Sequence, residues 1–175
     1  MSATVAPPGF EPAAPEIGRP ALPPGRRVEL PGRGATFVRE VDGPAGAPVV
    51  FLLHGWTVTA ALNWFRVYEP LHHHVRVVSL DVRGHGRGIR SRARFTLEDV
   101  ADDVVALADV LGIDTFAVAG YSMGGPIAQL VWHRRRDRVT GLVLCATFAG
   151  PSADPRERIA LRSVGSLGRG ARLLP

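Results

Sequence analysis

Lysine is missing from this 175-residue chain, so all 21 of its basic Lys+Arg positions are arginine, set against 16 acids for a formal charge of +5. Arginine without lysine, alongside abundant Ala, Gly and Pro, is what GC-rich coding DNA produces. The arginines are spread along the chain, whereas a nucleic-acid binder gathers its positive charge on one face or arm. The sequence therefore predicts no nucleic-acid partner. Cysteine is almost absent too. The single Cys145 cannot close an internal disulfide and sits in an apolar run, where it reads as a small buried hydrophobe and not as a catalytic thiol. The longest apolar run near the middle, Val49 to Leu53, is far short of the roughly 18 residues that cross a bilayer, so no membrane span is expected. The first residues carry neither a basic n-region nor a continuous apolar h-region, which argues against a secretory signal and for a cytoplasmic protein.

What is present suits one globular domain: 46% of the residues are apolar and 21% charged, enough for a real core. Residues 1 to 26 hold Pro7, Pro8, Pro12, Pro15, Pro20, Pro23 and Pro24, a composition that neither continues a helix nor pairs in a central strand, and they read as a flexible leader. From residue 27 to about 150 the pattern is that of a folded core. Residues 27–30 and 35–41 alternate apolar and polar, as two antiparallel edge strands do. The runs 49–53, 75–80, 116–119 and 141–146 are short, mostly continuous and β-rich, as strands buried on both faces of a parallel sheet are.

Helices are expected between these strands. In the clearest, Leu97, Val100, Ala101, Val104, Val105, Ala108 and Leu111 recur at three- and four-residue steps. Thr96 stands at the N-cap, Asp99 at the third helical position and Gly112 at the C-cap. Residues 62–71 and 123–134 supply two more helices, and the alternation makes the fold α/β with a mainly parallel sheet. Residues 151–175 read as the start of a helical cap, with Asp154 as N-cap, Pro155 first and Glu157 third. That apolar stripe runs to the last residue with nothing to pack against, so the chain looks cut short, and the strand near 142–146 is expected to be left as an exposed apolar edge through which chains self-associate.

The chemistry centres on Gly120-Tyr121-Ser122-Met123-Gly124, which follows one strand and opens a helix. Small flanking residues let the backbone turn tightly beneath the serine, and the helix behind it offers free N–H groups and a positive dipole end to an oxyanion. His54-Gly55-Trp56 ends the first central strand, and Asp81-Val82-Arg83-Gly84-His85-Gly86 ends the second. All three motifs fall at the carboxyl ends of strands, the edge where open parallel sheets place their sites.

With these motifs in this order the chain resembles the α/β-hydrolase fold superfamily, in its esterase-like and peptidase-like serine hydrolase branch. The resemblance covers about residues 27 to 150. It implies Ser122 as nucleophile, an oxyanion hole made by the backbone N–H groups of Met123 and Trp56, and an acyl substrate of small size: an ester, thioester, lactone or amide. It implies no cofactor and no metal. His54 is expected to serve the turn, and Asp81, Arg83 and His85 to brace loops.

The same resemblance calls for an acid and a histidine later in the chain, yet only 53 residues follow Ser122, and the last histidine, His133, stands in the helix behind it. Of the later acids, Asp137, Asp154 and Glu157, only Asp154 is placed to approach the site, and its N-cap role already accounts for it. A serine hydroxyl without a base is a poor nucleophile. Two other readings therefore stand beside hydrolysis: a catalytically silent fragment or pseudo-enzyme, and a perhydrolase or acyltransferase using the same turn. The remaining groups read blandly. His72, His73 and His74 suggest a solvated loop, and Glu98, Asp99, Asp102 and Asp103 acids that suit a helix N-terminus. Trp56 and Trp64 line an acyl pocket or belong to the core.

Overall fold

The computed structural model describes residues 21–147. Six strands form one mixed sheet in the order β1-β2-β4-β3-β5-β6. They are β1 (Gly25–Leu30), β2 (Gly34–Val41), β3 (Val49–Leu53), β4 (Arg76–Asp81), β5 (Phe116–Tyr121) and β6 (Val139–Cys145). The last four run parallel to one another, while β2 pairs antiparallel with both β1 and β4. Only β1 is thus an edge strand at this side. The expectation of two edge strands is corrected for β2, whose second neighbour, β4, comes from a distant part of the sequence. Strand β1 also begins at Gly25, two residues inside the segment read as leader.

Side chains alternate across the sheet as the pleat requires. Phe51, Leu53, Val78, Leu80 and Val118 face one way, into a core closed by α3 (Leu97–Val110) and α4 (Gly124–Arg134). Leu52, Val77 and Ala119 face the other way, into a smaller core with Ala60, Trp64 and Tyr68. That second face is covered by two short helices, α1 (Ala60–Trp64) and α2 (Tyr68–His72), where the sequence suggested one helix over 62–71. Trp64 belongs to this core and not to a substrate pocket, and the buried Tyr68 hydroxyl meets Ser79 Oγ at 2.7 Å.

Helix α3 ends where its sequence says it should. Thr96 Oγ1 accepts the Asp99 N–H at 3.1 Å and donates to the Asp99 carboxylate at 2.7 Å. At the other end Gly112, at φ +63°, lets its own N–H reach Asp109 O and that of Ile113 reach Ala108 O. These two bonds satisfy carbonyls that a helix C-terminus otherwise leaves bare.

Three expectations are corrected by packing. Cys145, read as a buried hydrophobe, is half-buried, because β6 ends the described sheet and α4 covers it from one side, and the same position leaves Val143 and Leu144 53% and 40% exposed, as expected of an apolar edge. His72 is a buried residue of α2 and not part of a solvated loop, although His73 and His74 beside it are exposed. Asp103, read as one of several acids at a helix start, is buried in the second turn of α3 between Arg33 and Arg83. The segment 151–175 and its predicted cap helix lie outside the described residues.

Candidate active site

Strand order sets where a site can form. From β3 the chain crosses to β4 on one side, and β5 then lies on the other side of β3, so the loops after β3 and β5 diverge and leave a crevice at the carboxyl edge of the sheet. Ser122 directly follows β5 on that crevice, and Gly55 and Trp56 follow β3 opposite it. The motifs singled out in the sequence meet here: Leu53 pairs with Gly120 in the sheet, and a Cβ on Gly55 would stand 3.4 Å from Ser122 Cβ.

Ser122 adopts φ +50°, the left-handed region that L-residues with a side chain seldom occupy. Its neighbours hold it there. The Ser122 N–H donates to Cys145 O at 3.0 Å, and its carbonyl accepts from Gly125 N–H at 3.0 Å and from Thr147 Oγ1 at 2.7 Å. A side chain on Gly124 would collide with the Leu53 carbonyl, and one on Gly120 with the backbone of Gly124. The turn is tight enough to exclude a methyl group on either side of the serine. Met123 then begins helical geometry ahead of α4, so the Ser122 side chain stands at the positive end of an 11-residue helix.

The β3 loop is anchored from three directions. Gly55 N–H donates to Asn63 Oδ1 at 3.0 Å. His54, fully buried, accepts the Val82 N–H on Nε2 at 3.0 Å, and its Nδ1 lies 2.7 Å from Gly55 O. An N–H needs a lone pair and a carbonyl needs a donor, so the ring is neutral with its proton on Nδ1. Burial lowers its pKa, against the opposing pull of the Gly55 carbonyl. Both nitrogens are therefore committed to the turn. Thr57, next along, is held at φ +62°.

Asp81 anchors the third motif. Its carboxylate accepts the Ala60 N–H and the Arg87 N–H, each at 2.9 Å, which ties the start of α1 to the loop after β4. Gly86, at φ +46°, has no room for a Cβ against that carboxylate. His85 packs edge-on against Trp56 at 5.0 Å between centroids, and Phe95 meets Trp56 at 5.6 Å. The His85 Nδ1 faces Arg83 O at 3.2 Å, and burial, with the Arg90 charge adding to it, lowers the ring's pKa.

Of the six histidines in the sequence, none hydrogen-bonds the Ser122 side chain among the described residues. His133 is exposed near the far end of α4, about 14 Å along the axis from its start at 1.5 Å per residue. His72, His73 and His74 precede β4, at the opposite edge of the sheet. Asp137 is exposed and paired with Arg135. Asp154 and Glu157 lie outside the described residues. No group of three or more His, Cys, Asp or Glu among the described residues is arranged to hold a metal ion, and no described helix is long and apolar enough to cross a membrane.

Sequence reading missed Asn63, Thr147 and the Arg33–Asp103–Arg83 cluster. Asn63 and Thr147 are polar residues with no local motif, and only the packing of α1 and β6 against the turns makes them partners. The acid of the cluster was visible, but its two cations come from 70 and 20 residues away.

Residues 48–163 match the family model described as alpha/beta hydrolase fold. Similar proteins include the dihydrolipoyllysine-residue acetyltransferase component of an acetoin-cleaving system from Pseudomonas putida, 34% identical over 122 residues, which are 70% of this chain and 32% of that protein. A bifunctional esterase/perhydrolase from Acinetobacter calcoaceticus is 33% identical over 125 residues, 66% of this chain and 45% of that protein. Among solved structures, a thermophilic esterase from Thermogutta terrifontis superposes with a TM-score of 0.69 at 30% identity, over 82% of this chain and 53% of that one. The chain thus spans less than half the length of these two curated relatives.

Proposed function

This chain belongs to the alpha/beta hydrolase fold family, and on that footing we propose that Ser122 is the nucleophile of an acyl hydrolase acting on an ester, thioester, lactone or amide of small size. The observation that carries the reading is the strained φ of +50° at Ser122, held at a strand-to-helix turn beside the Gly55-Trp56 loop. A serine kept there at an energetic cost fits a side chain that must stand clear of the sheet. Met123 and Trp56 supply the backbone N–H groups for the oxyanion. Attack by the Ser122 oxygen on the acyl carbonyl passes through a tetrahedral intermediate, expels the leaving group and leaves an acyl-enzyme that water resolves.

The hydroxyl proton needs an acceptor. His54 is excluded by its two committed nitrogens, and His133 by distance. His85 is the histidine at the site edge with a nitrogen not engaged in these bonds, since its Nδ1 proton points to Arg83 O and leaves the Nε2 lone pair. Its contacts with Trp56 and Phe95 suit a bracing role. The base for full activity is then supplied by other residues, and a silent product follows where none reaches Ser122. A second reading keeps the same turn with a different acyl acceptor, and similarity to an esterase/perhydrolase and to an acetyltransferase component supports it.

Intact-mass analysis after treatment with a fluorophosphonate tests the nucleophile, with circular dichroism to confirm folding. One adduct that disappears in Ser122→Ala is expected of the hydrolase. A folded chain that stays unlabelled sets the nucleophile reading aside in favour of the silent alternative.

A further inference from the structure

Several exposed arginines have no ion-pair partner among the described residues, Arg27, Arg66 and Arg136 among them, but the largest group stands on one loop. Ion pairs within the structure engage Arg26 and Arg76 with Glu40, Arg134 with Asp102, Arg135 with Asp137 and Arg138 with Asp109. The loop between β4 and α3 differs. It carries Arg83, Arg87, Arg90, Arg92 and Arg94 and no acid from residue 82 to residue 97. Arg83 is taken up by Asp103. The other four are exposed, and none has an ion-pair partner among the described residues.

Their contacts leave the charge in place. The Arg87 guanidinium lies over the Phe37 ring at 3.3 Å, and Arg90 donates to the carbonyls of Gly84 and Gly86. Neither a ring face nor a carbonyl neutralises a guanidinium. The loop also borders the crevice: His85 and Phe95, at its two ends, pack on the ring of Trp56, one residue beyond the Gly55 that sits against Ser122. Four like charges within eight residues of one loop, 87–94, have a cost in mutual repulsion and raise the local concentration of anions.

We propose that this loop is a docking surface for an oxyanion, a carboxylate or a phosphate, carried by the acyl substrate of Ser122. The inference rests on the acyl-hydrolase reading for what the anion is attached to. Arg92 and Arg94 are the recognition pair, since their guanidinium forks are free of the contacts that hold Arg87 and Arg90 and match either oxyanion in a two-pronged fashion.

Equilibrium dialysis of the full chain tests this without requiring turnover. The probes are three 4-nitroanilides, which an amide bond makes slow to hydrolyse: the succinyl compound with a free carboxylate, the phosphonoacetyl compound, and the neutral butyryl compound. At low salt at least one anionic probe is expected to bind about fivefold more tightly than the neutral one. That preference should fall to about unity in Arg92→Gln/Arg94→Gln and at about 0.5 M salt, where exposed charges are screened within a few ångströms. The tighter of the two anions identifies the source of the oxyanion. Equal binding of all three, no binding of any, or a preference that survives the double substitution overturns the proposal. Labelling of Ser122 by the fluorophosphonate is read separately: an anion preference without labelling defeats the nucleophile and keeps the docking surface, and labelling without the preference does the reverse.

Discussion

Asp103 grips Arg83 with both oxygens, accepting from Nε at 2.7 Å and from Nη2 at 2.6 Å, and accepts Arg33 Nε at 2.6 Å on the same carboxylate. One buried acid on α3 thereby fixes the turn between β1 and β2 and the loop that carries His85. Its side chain is 2% exposed and that of Arg83 is 11% exposed, so neither is screened as a surface pair is. Removing one partner of such a pair leaves a desolvated charge behind.

Asp103→Asn is expected to destabilise the fold by about 3 kcal/mol, a fall in midpoint temperature on the order of 10 °C for a domain of this size. Arg33→Ala should cost less, because Arg83 retains its two-pronged partner. Thermal unfolding of the two variants checks this. A loss for Asp103→Asn below about 1 kcal/mol would place the cluster with ordinary surface ion pairs.

Acid should loosen the site loops. Burial lowers the pKa of His54, of His85 and of His72, so the unfolded chain takes up protons that the folded chain refuses. Stability is then full above the ordinary histidine value near 6.5 and falls as pH drops from there toward the lowered folded values, by up to about 1.4 kcal/mol per pH unit for the buried His54. His54→Gln keeps an acceptor for the Val82 N–H and removes the titration. Urea unfolding between pH 7 and 5 should show a shallower pH slope in this variant, and an unchanged slope would clear His54 of the effect.

Glycines at the turn and on β6 should respond oppositely to a methyl group. In Gly124→Ala the new Cβ meets the Leu53 carbonyl, a backbone atom with no rotamer to escape to, and overpacking of this kind costs about 1–3 kcal/mol. Gly141→Ala meets nothing within 4 Å and should be neutral or stabilising by about 0.5 kcal/mol. Denaturant midpoints for the pair decide it, and equal losses would mean that the close approach beneath Ser122 relaxes easily.

Self-association, expected from the sequence, should run through the free edge of β6. Val143 and Leu144 are exposed on a strand with no charge and no proline, the features that usually discourage edge-to-edge pairing. Sedimentation velocity should show concentration-dependent association of the chain that Val143→Lys reduces. Association unaffected by the lysine would point to another surface.

Much of this was legible from residues alone because its causes are local. Helix α3 was bounded to within one residue, since Thr96, Asp99 and Gly112 act on backbone groups three or four positions away. The turn at Ser122 was legible because glycine at 120 and 124 is what a close backbone approach requires. The order of apolar runs and turns sufficed for an α/β sheet with its site at the strand ends. Where a residue's partner lies far along the chain, pattern was silent or misleading. An apolar run such as 141–146 reads the same at the centre of a sheet as at its rim, so Cys145 read as buried, and strand order left it half-buried. His54, Asn63 and Thr147 carry no signature of the bonds they make, because those bonds exist only after β3, β5 and β6 are laid side by side. The spacing of the motifs determined which turns stand at the strand ends; the tertiary structure decided which histidine is locked, which acid is buried and which arginines find an acid, since each of these depends on neighbours that only the folded chain provides.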